Sequence, residues 1–338
     1  MELHISALGG RLSVKDFIFI VKLPIVDAQI DNSTDTYSTE QLSPDLVKCI
    51  YLYPNSSISS NAMSLAVNYQ IPIFLFDKDL VPQGQIWSHK YGSIASIRTH
   101  QHLFFRSKEG AIWVKDLIIF KLKQQQYILQ QFIKSSTNAA NYIANAIILV
   151  ENWVPTVDKS QLEILRGYEG VSAKHYFGSI GQSLPPAFRF DLRTRRPALD
   201  PFNAMLNYLY SILYFRVENS LISAGLDPYC SILHVSQYNK PTLVYDFMEM
   251  YRIWADSLAI SLVNKNQVNF RDFQRNNITG EYLINIEARR VIVTAFNLFI
   301  NNTVKRGKVN LSRKNHIAND AKILADHLLN HYHPPSYI

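Results

Sequence analysis

The sequence predicts an α+β protein: a small N-terminal β domain with one short helix, followed by a larger all-α domain. Three observations carry this. The first hundred residues alternate apolar and polar side chains in short runs broken by Gly, Pro, Ser and Asp. Residues 99–154 then contain no proline and are rich in Gln, Lys, Ile and Leu at helical spacing. Finally, 338 residues that are 47% hydrophobic and 18% charged hold material for two packed cores and exclude a disordered chain. The domains are expected at 1–95 and 96–338, with no internal repeat.

LHISAL, the pair Gly9-Gly10 and LSVKDFIFIVKL read as strand, tight turn and strand, hence a hairpin. LVKCIYLY at 46–53 alternates again, and SSISSNAMSLAVNYQ at 56–70 offers serine N-caps before a short apolar helix. IPIFLF at 71–76 is a short buried strand, with GQIWS at 84–88 pairing after it. In the second part, helices are expected within 99–154 and at about 159–178, 201–224, 242–263, 283–304 and 316–331. Their breaks are LPPAFRFDLRTRRPALDP at 184–201, LDPYC at 226–230 and KRGKVNLSRKNH at 305–316.

Several classes lose support. FIFIV at 17–21 and AIILV at 146–150 fall far short of the about 20 apolar residues that span a bilayer. No basic, apolar, small-residue leader opens the chain, so a cytoplasmic protein is expected. Cys49 and Cys230 are too few and too distant for a disulfide framework or a cysteine zinc site. A phosphate loop, GxGxxG, HExxH and GxSxG are all missing from the sequence.

Net charge is +7 but uneven. Residues 1–97 hold six Lys/Arg against nine Asp/Glu, whereas residues 98–338 hold twenty-eight against eighteen. The positive excess therefore belongs to the helical part, where it suits a polyanion partner or simply a basic soluble surface.

Three segments there gather metal-type residues beside basic and aromatic ones. LRGYEGVSAKHYF at 165–177 holds Glu169, Lys174, His175 and Tyr176; AGLDPYCSILH at 224–234 ends in His234; PTLVYDFMEMYRIWADS at 241–257 holds Asp246, Glu249, Arg252 and Asp256. On one helix, Asp246 and Glu249 would share a face, with Asp256 two turns beyond Glu249. Carboxylates among Leu243, Val244, Phe247 and Met248 need a counter-charge, and either Arg252 or a divalent cation supplies one. Taken singly, His234 and Glu169 are equally compatible with ordinary structural roles. Together the residues make an oxygen-rich set with one imidazole, better suited to Mg²⁺ or Mn²⁺ than to structural zinc. Beside Lys and Arg, such a set fits phosphodiester chemistry.

At these segments the chain resembles the CRISPR adaptation integrases, the Cas-one proteins. LRGYEGVSAKHYF resembles the family's Arg-Gly-x-Glu-Gly-x-x-Ala-x-x-Tyr segment. FNAMLNYLYSIL with AGLDPYCSILH resembles its helix and turn ending in a ligand histidine, and PTLVYDFMEMYR its Leu-x-Tyr-Asp-x-x-Glu/Asp-x-x-Arg segment. Residues 56–86, Arg98 with Gln101, and IIFKLKQQQYIL extend the resemblance over most of residues 1–260. Ser231 stands where a Gly is usual before the histidine, Met250 where a Pro is common after Glu249, and Leu209 where a Gly is common.

The resemblance implies a metal-dependent DNA integrase and endonuclease, with a dimer formed largely through the β domain. Two such dimers would clamp a Cas-two dimer in a heterohexamer. That assembly would join prespacer 3′-hydroxyl ends to the CRISPR repeat by transesterification. Glu169, His234 and Glu249 fall at the metal ligands, and Asp246 at a fourth acidic group that either binds through water or orients His234. Lys174 and Arg252 would meet phosphate or neutralise a carboxylate; Tyr176 would contact the DNA end or pack internally. Arg189, Arg193, Arg195 and Arg196, in a proline-flanked loop, would track DNA, as would the run Lys305, Arg306, Lys308, Arg313 and Lys314. The alternatives are a non-catalytic DNA-binding scaffold and a general metal-dependent nuclease. A transposon-encoded homologue would carry a further DNA-binding module, for which the residues after His331 and His333 are expected to leave no room.

Overall fold

The computed structural model describes residues 1–24, 37–77, 82–88, 94–132, 137–234 and 240–333. It divides into two compact units, Met1–Gly92 and Ser93–Ile338.

The first unit contains β1 (Glu2–Ile5), β2 (Arg11–Lys15), β3 (Ile18–Pro24), β4 (Tyr37–Leu42), β5 (Cys49–Leu52), β6 (Ser57–Ile58), α1 (Ser60–Asn68), β7 (Ile73–Phe76) and β8 (Pro82–Ile86). One sheet has the order β1-β5-β7-β8 and the other β4-β3-β2-β6. The expected hairpin across Gly9-Gly10 does not form. β1 pairs in parallel with β5, and β2 pairs antiparallel with β3. The true hairpin turn is Asp16-Phe17, both at positive φ (50° and 60°), the backbone that a two-residue turn between twisted strands demands. Gly9 instead takes φ 77° where the chain passes from one sheet to the other. Ile5, Leu12, Phe19, Val21, Ile50 and Ile73 face one core together with Ala62, Leu65 and Ala66 of α1. Ser59 caps α1, its hydroxyl accepting from Ala62 N at 3.2 Å. GQIWS pairs as expected: β8 runs antiparallel to β7.

The second unit is mainly helical: α2 (Ile94–Phe104), α3 (Lys108–Phe132), α4 (Thr137–Asn152), α5 (Lys159–Ser183), α6 (Pro201–Ser223), α7 (Thr242–Met248) and α8 (Arg252–Asn264). It is not all-α. β9 (Phe273–Arg275) and β10 (Tyr282–Ile284) form one antiparallel pair before α9 (Ile286–Asn301). β11 (Thr303–Arg306) and β12 (Val309–Ser312) form a second before α10 (Arg313–Asp326). The basic run at 305–316 thus folds into a hairpin and a helix start, turning at Gly307 with φ 60°.

α6 is the axis of this unit. Asp200 caps it, accepting from Asn203 N at 2.8 Å, and Pro201 starts it without a wasted donor. Its first six residues are buried, as are Leu209, Leu213, Val217 and Leu221 below them. α7, α8 and α10 pack against it, while α3, α4 and α5 pack in sequence beside one another. At Gly181 a side chain would run into the Phe190 carbonyl, so glycine lets the 184–200 segment lie directly on α5.

Candidate active site

The site is assembled from a turn held by two clamps. Gln101 of α2 is fully buried, and its amide donates to the carbonyls of Asp227 (2.8 Å) and Cys230 (2.9 Å). Its oxygen accepts from Asp227 N at 2.8 Å. From the other side, Leu243 N donates to the Pro228 carbonyl at 2.9 Å and Thr242 Oγ1 to Tyr229 at 2.9 Å. Arg166 of α5 then donates to the Leu233 carbonyl at 2.6 Å. These bonds fix the chain that delivers His234.

Asp246 of α7 receives that chain. It is fully buried and accepts from Leu233 N (3.0 Å), His234 N (3.2 Å) and the Ser231 hydroxyl. His234 Nδ1 donates to its Oδ1. The carboxylate therefore sets the imidazole's tautomer and leaves Nε2 as the ring's remaining ligand atom. Ser231, in the place of a glycine, supplies one of these donors.

The segment 242–263 is not one helix. α7 stops at Met248 and α8 starts at Arg252, with Tyr251 N bonding back to the Met248 carbonyl at 2.9 Å. Met250 lies in this break, and Leu209 is packed in the core of α6. The break separates carboxylates that a single helix would stack. Asp246 serves the His234 turn, Glu249 meets α3 and α8, and Asp256 lies in a different network.

Glu249 is 8% exposed and sits between two cations. Its Oε1 accepts from Arg252 Nε at 2.9 Å. Its Oε2 lies 2.6 Å from Lys121 Nζ, a charge contact off the line of a hydrogen bond. Lys121, from α3, also pairs with Glu169 of α5. Burial alone would raise the Glu249 carboxyl, but Arg252 and then Lys121 outweigh it and hold the group well below the usual carboxylate range. Burial would likewise lower the Lys121 ammonium, yet Glu249 and Glu169 raise it and keep it charged.

Around this cluster, Arg193, Arg195, Arg252, Tyr210 and Gln125 line the same cleft as Lys121, Glu169 and Glu249. Arg252 lies over the Tyr210 ring at 4.8 Å, and Arg193 over Tyr210 at 5.4 Å and Phe177 at 5.6 Å. Arg193 is also braced by Asn203 (2.8 Å) and Asn207 (2.6 Å). Arg189, Arg195 and Arg196 are exposed, Arg189 donating to the Leu184 carbonyl at 3.1 Å. Lys174 is exposed on α5 and does not line the cleft. Tyr176, one candidate for a DNA contact, is fully buried, with its hydroxyl donating to Asp256 at 2.9 Å. Tyr210 donates to the same carboxylate at 2.6 Å. Tyr176 is therefore a packing residue. In the second basic run, Arg306 pairs with Asp320 at 2.6 Å and Arg313 donates to the Phe299 carbonyl at 3.0 Å, while Lys305 and Lys308 are exposed.

Among the described residues, no three His, Cys, Asp or Glu side chains gather at metal-binding distance. Glu169 and Glu249 meet through Lys121, and His234 is tied to Asp246. Lys121 is the residue that sequence reasoning missed. Its signal was available: with Gln125 it interrupts the face of α3 formed by Val114, Leu117, Ile118, Leu122, Ile128 and Leu129.

The fold is one already seen in solved proteins. A CAS1 protein from Thermotoga maritima superposes with a TM-score of 0.73 at 19% identity, each chain covered over 100% of its length. A casposase bound to an integration product gives 0.67 at 20% identity, covering 100% of this chain and 99% of that one. The sequence then specifies the family. The family described as "CRISPR associated protein Cas1" matches residues 9–298, and the chain belongs to it. A CRISPR-associated endonuclease Cas1 from Archaeoglobus fulgidus is 26% identical over 314 residues, 87% of both chains. Another from Rhodospirillum rubrum is 30% identical over 264 residues, 74% of this chain and 75% of its own.

Proposed function

We infer that this chain is the DNA integrase and endonuclease of CRISPR adaptation, joining prespacer 3′-hydroxyl ends to the CRISPR repeat. Within a Cas1 family member, the observation that carries the reading is the cleft in which Glu169, Glu249, Lys121 and Arg252 converge. Two carboxylates from separate elements, held around a cation and flanked by arginines, suit a site for a divalent cation and a phosphodiester.

The donor chemistry fits Mg²⁺ or Mn²⁺. Glu169 and Glu249 offer hard oxygens already gathered around a positive charge, and His234 offers Nε2. These three residues would hold the metal. When bound, it supplies positive charge to the non-bridging phosphate oxygens. Asp246 keeps His234 in the tautomer with Nδ1 protonated. Arg193 and Arg195 bind phosphate oxygens and orient the strand, while Arg252 answers the Glu249 carboxylate. The prespacer 3′-oxygen attacks a repeat phosphorus, one P–O bond forms and one breaks, and the repeat strand leaves with a 3′-hydroxyl. The hydroxyl proton passes to solvent and the leaving oxygen takes one up. No bond energy is lost, so no nucleoside triphosphate is required. Water in place of the 3′-hydroxyl gives strand cleavage.

The partners are prespacer and repeat DNA, a second copy of the chain and a Cas-two dimer in a heterohexamer. Similar chains occur in a Cas6-RT-Cas1–Cas2 complex and in a Cas1–DNA complex, which supports the Cas-two and DNA pairings. Action in the cytoplasm suits two cysteines that form no disulfide and described helices of which none is long and apolar enough to cross a membrane.

The test is strand transfer with the Cas-two partner, Mn²⁺ or Mg²⁺, a prespacer with 3′-hydroxyl ends and a plasmid bearing the repeat. Joined products are expected with the native chain, and should fall at least about a hundredfold in His234→Ala and Glu249→Ala and with chelator. Cleavage without joining identifies a general nuclease. DNA binding with neither activity identifies a scaffold.

A further inference from the structure

We propose that Lys121 is a placeholder for the metal: its ammonium holds Glu169 and Glu249 together in the metal-free chain and is expelled when a divalent cation binds, an inference that rests on the metal-dependent reading of the same cleft. Lys121 is 8% exposed, and a buried ammonium is tolerated only when its charge is answered. Here two carboxylates answer it, one from α5 and one from the α7–α8 break. Without the lysine, those elements would turn two like charges toward each other. Lys121 therefore does for the metal-free fold what a cation does for the loaded one.

The two occupants exclude each other. A divalent cation held by Glu169 and Glu249 would compete with the ammonium for the same two carboxylates, and like charges in a poorly hydrated cleft repel strongly. The structure offers the displaced group an acceptor. Gln125 stands one turn along the same face of α3, lines the same cleft, and its Oε1 is buried without a hydrogen-bond donor. Occupant exchange also sets affinity: the metal binds a form of the site that the lysine keeps scarce, so its apparent affinity is lowered by that fraction.

The experiment uses the full chain, stripped of metal, with Mn²⁺ binding read by calorimetry and unfolding read by thermal melting with and without Mn²⁺. Lys121→Gln removes the charge at similar reach. It should melt lower than the native chain in chelator, regain most of that difference in Mn²⁺, and bind Mn²⁺ about tenfold tighter or more. Lys121→Arg keeps an always-charged occupant and should bind Mn²⁺ more weakly than the native chain, a readout that stands if the Gln variant does not fold. Native-like or weaker Mn²⁺ affinity in Lys121→Gln, or tighter affinity in Lys121→Arg, overturns the proposal while leaving the metal site standing. Absence of Mn²⁺ binding in the native chain overturns the placeholder and the metal-dependent reading together.

Discussion

Asp256 shows how a carboxylate in this cleft is governed by its neighbours. It is 3% exposed and receives the hydroxyls of Tyr176 and Tyr210. Burial dominates over those hydrogen bonds and over the charges of Arg193 and Arg252, pushing its carboxyl up to about 6. In the unfolded chain it titrates near 3.8, so between these values the folded state binds the proton more tightly. Stability contributed by the protonated form is full below pH 3.8 and lost as pH rises toward 6. Asp256→Asn keeps a neutral acceptor and should remove that loss. Urea unfolding from pH 4 to 7 is expected to show the variant gaining on the native chain as pH rises, by about 1–3 kcal/mol at pH 7. A gap that does not change with pH would contradict the assignment. The sequence names Glu169, His234, Asp246, Glu249 and Arg252, and three of them line one cleft. It does not say which charge answers which. The break that Lys121 makes in the apolar face of α3 was legible, but not its partners: a lysine on an amphipathic helix ordinarily extends its ammonium to water, and this one stays inside because residues 48 and 128 positions away face it.

At the scale of elements, periodicity identifies the long helices of the second unit, and local geometry decides the rest. The Gly9-Gly10 pair looks like a hairpin turn, yet the positive φ values fall at Asp16 and Phe17 because the strand pairing requires the reversal there. The apolar run 242–263 hides a break, since Glu249, Met250 and Tyr251 are all acceptable helix formers, and the stop falls where Glu249 meets Lys121 of α3. A similar contact controls the arginine segment. Gly181 gives the Phe190 carbonyl direct access to α5, which seats the chain from Leu184 to Asp200. Gly181→Ala must push that segment outward. It should cost about 1–3 kcal/mol in urea unfolding and weaken DNA binding, because Arg193 and Arg195 ride on the displaced backbone. Unchanged stability with unchanged DNA affinity would mean the segment finds a second seating of equal energy.

For the whole molecule, the uneven charge is the feature that composition conveys most directly. Every charged residue behind the surplus, twenty-eight Lys/Arg against eighteen Asp/Glu, belongs to the second unit, which also holds the cleft. Several of those cations are already committed: Lys121 and Arg252 to carboxylates, Arg306 to Asp320, and Arg313 to a carbonyl and the Phe299 ring. What remains for a polyanion is a subset, and Arg189, Arg195 and Arg196 are exposed members on the segment whose Arg195 lines the cleft. Phosphate neutralisation releases counterions, so each contact steepens the fall of affinity with salt by about 0.9 in log–log slope. The triple variant Arg189→Ala, Arg195→Ala, Arg196→Ala should therefore bind DNA more weakly at every salt concentration. Its slope should be shallower by about 2–3, while Mn²⁺ affinity stays native. Fluorescence anisotropy across a salt series measures the slope, and calorimetry the metal. An unchanged slope would move the DNA track to other exposed cations of the unit, among them Lys305 and Lys308 on the β11–β12 hairpin, where the same pair of measurements applies.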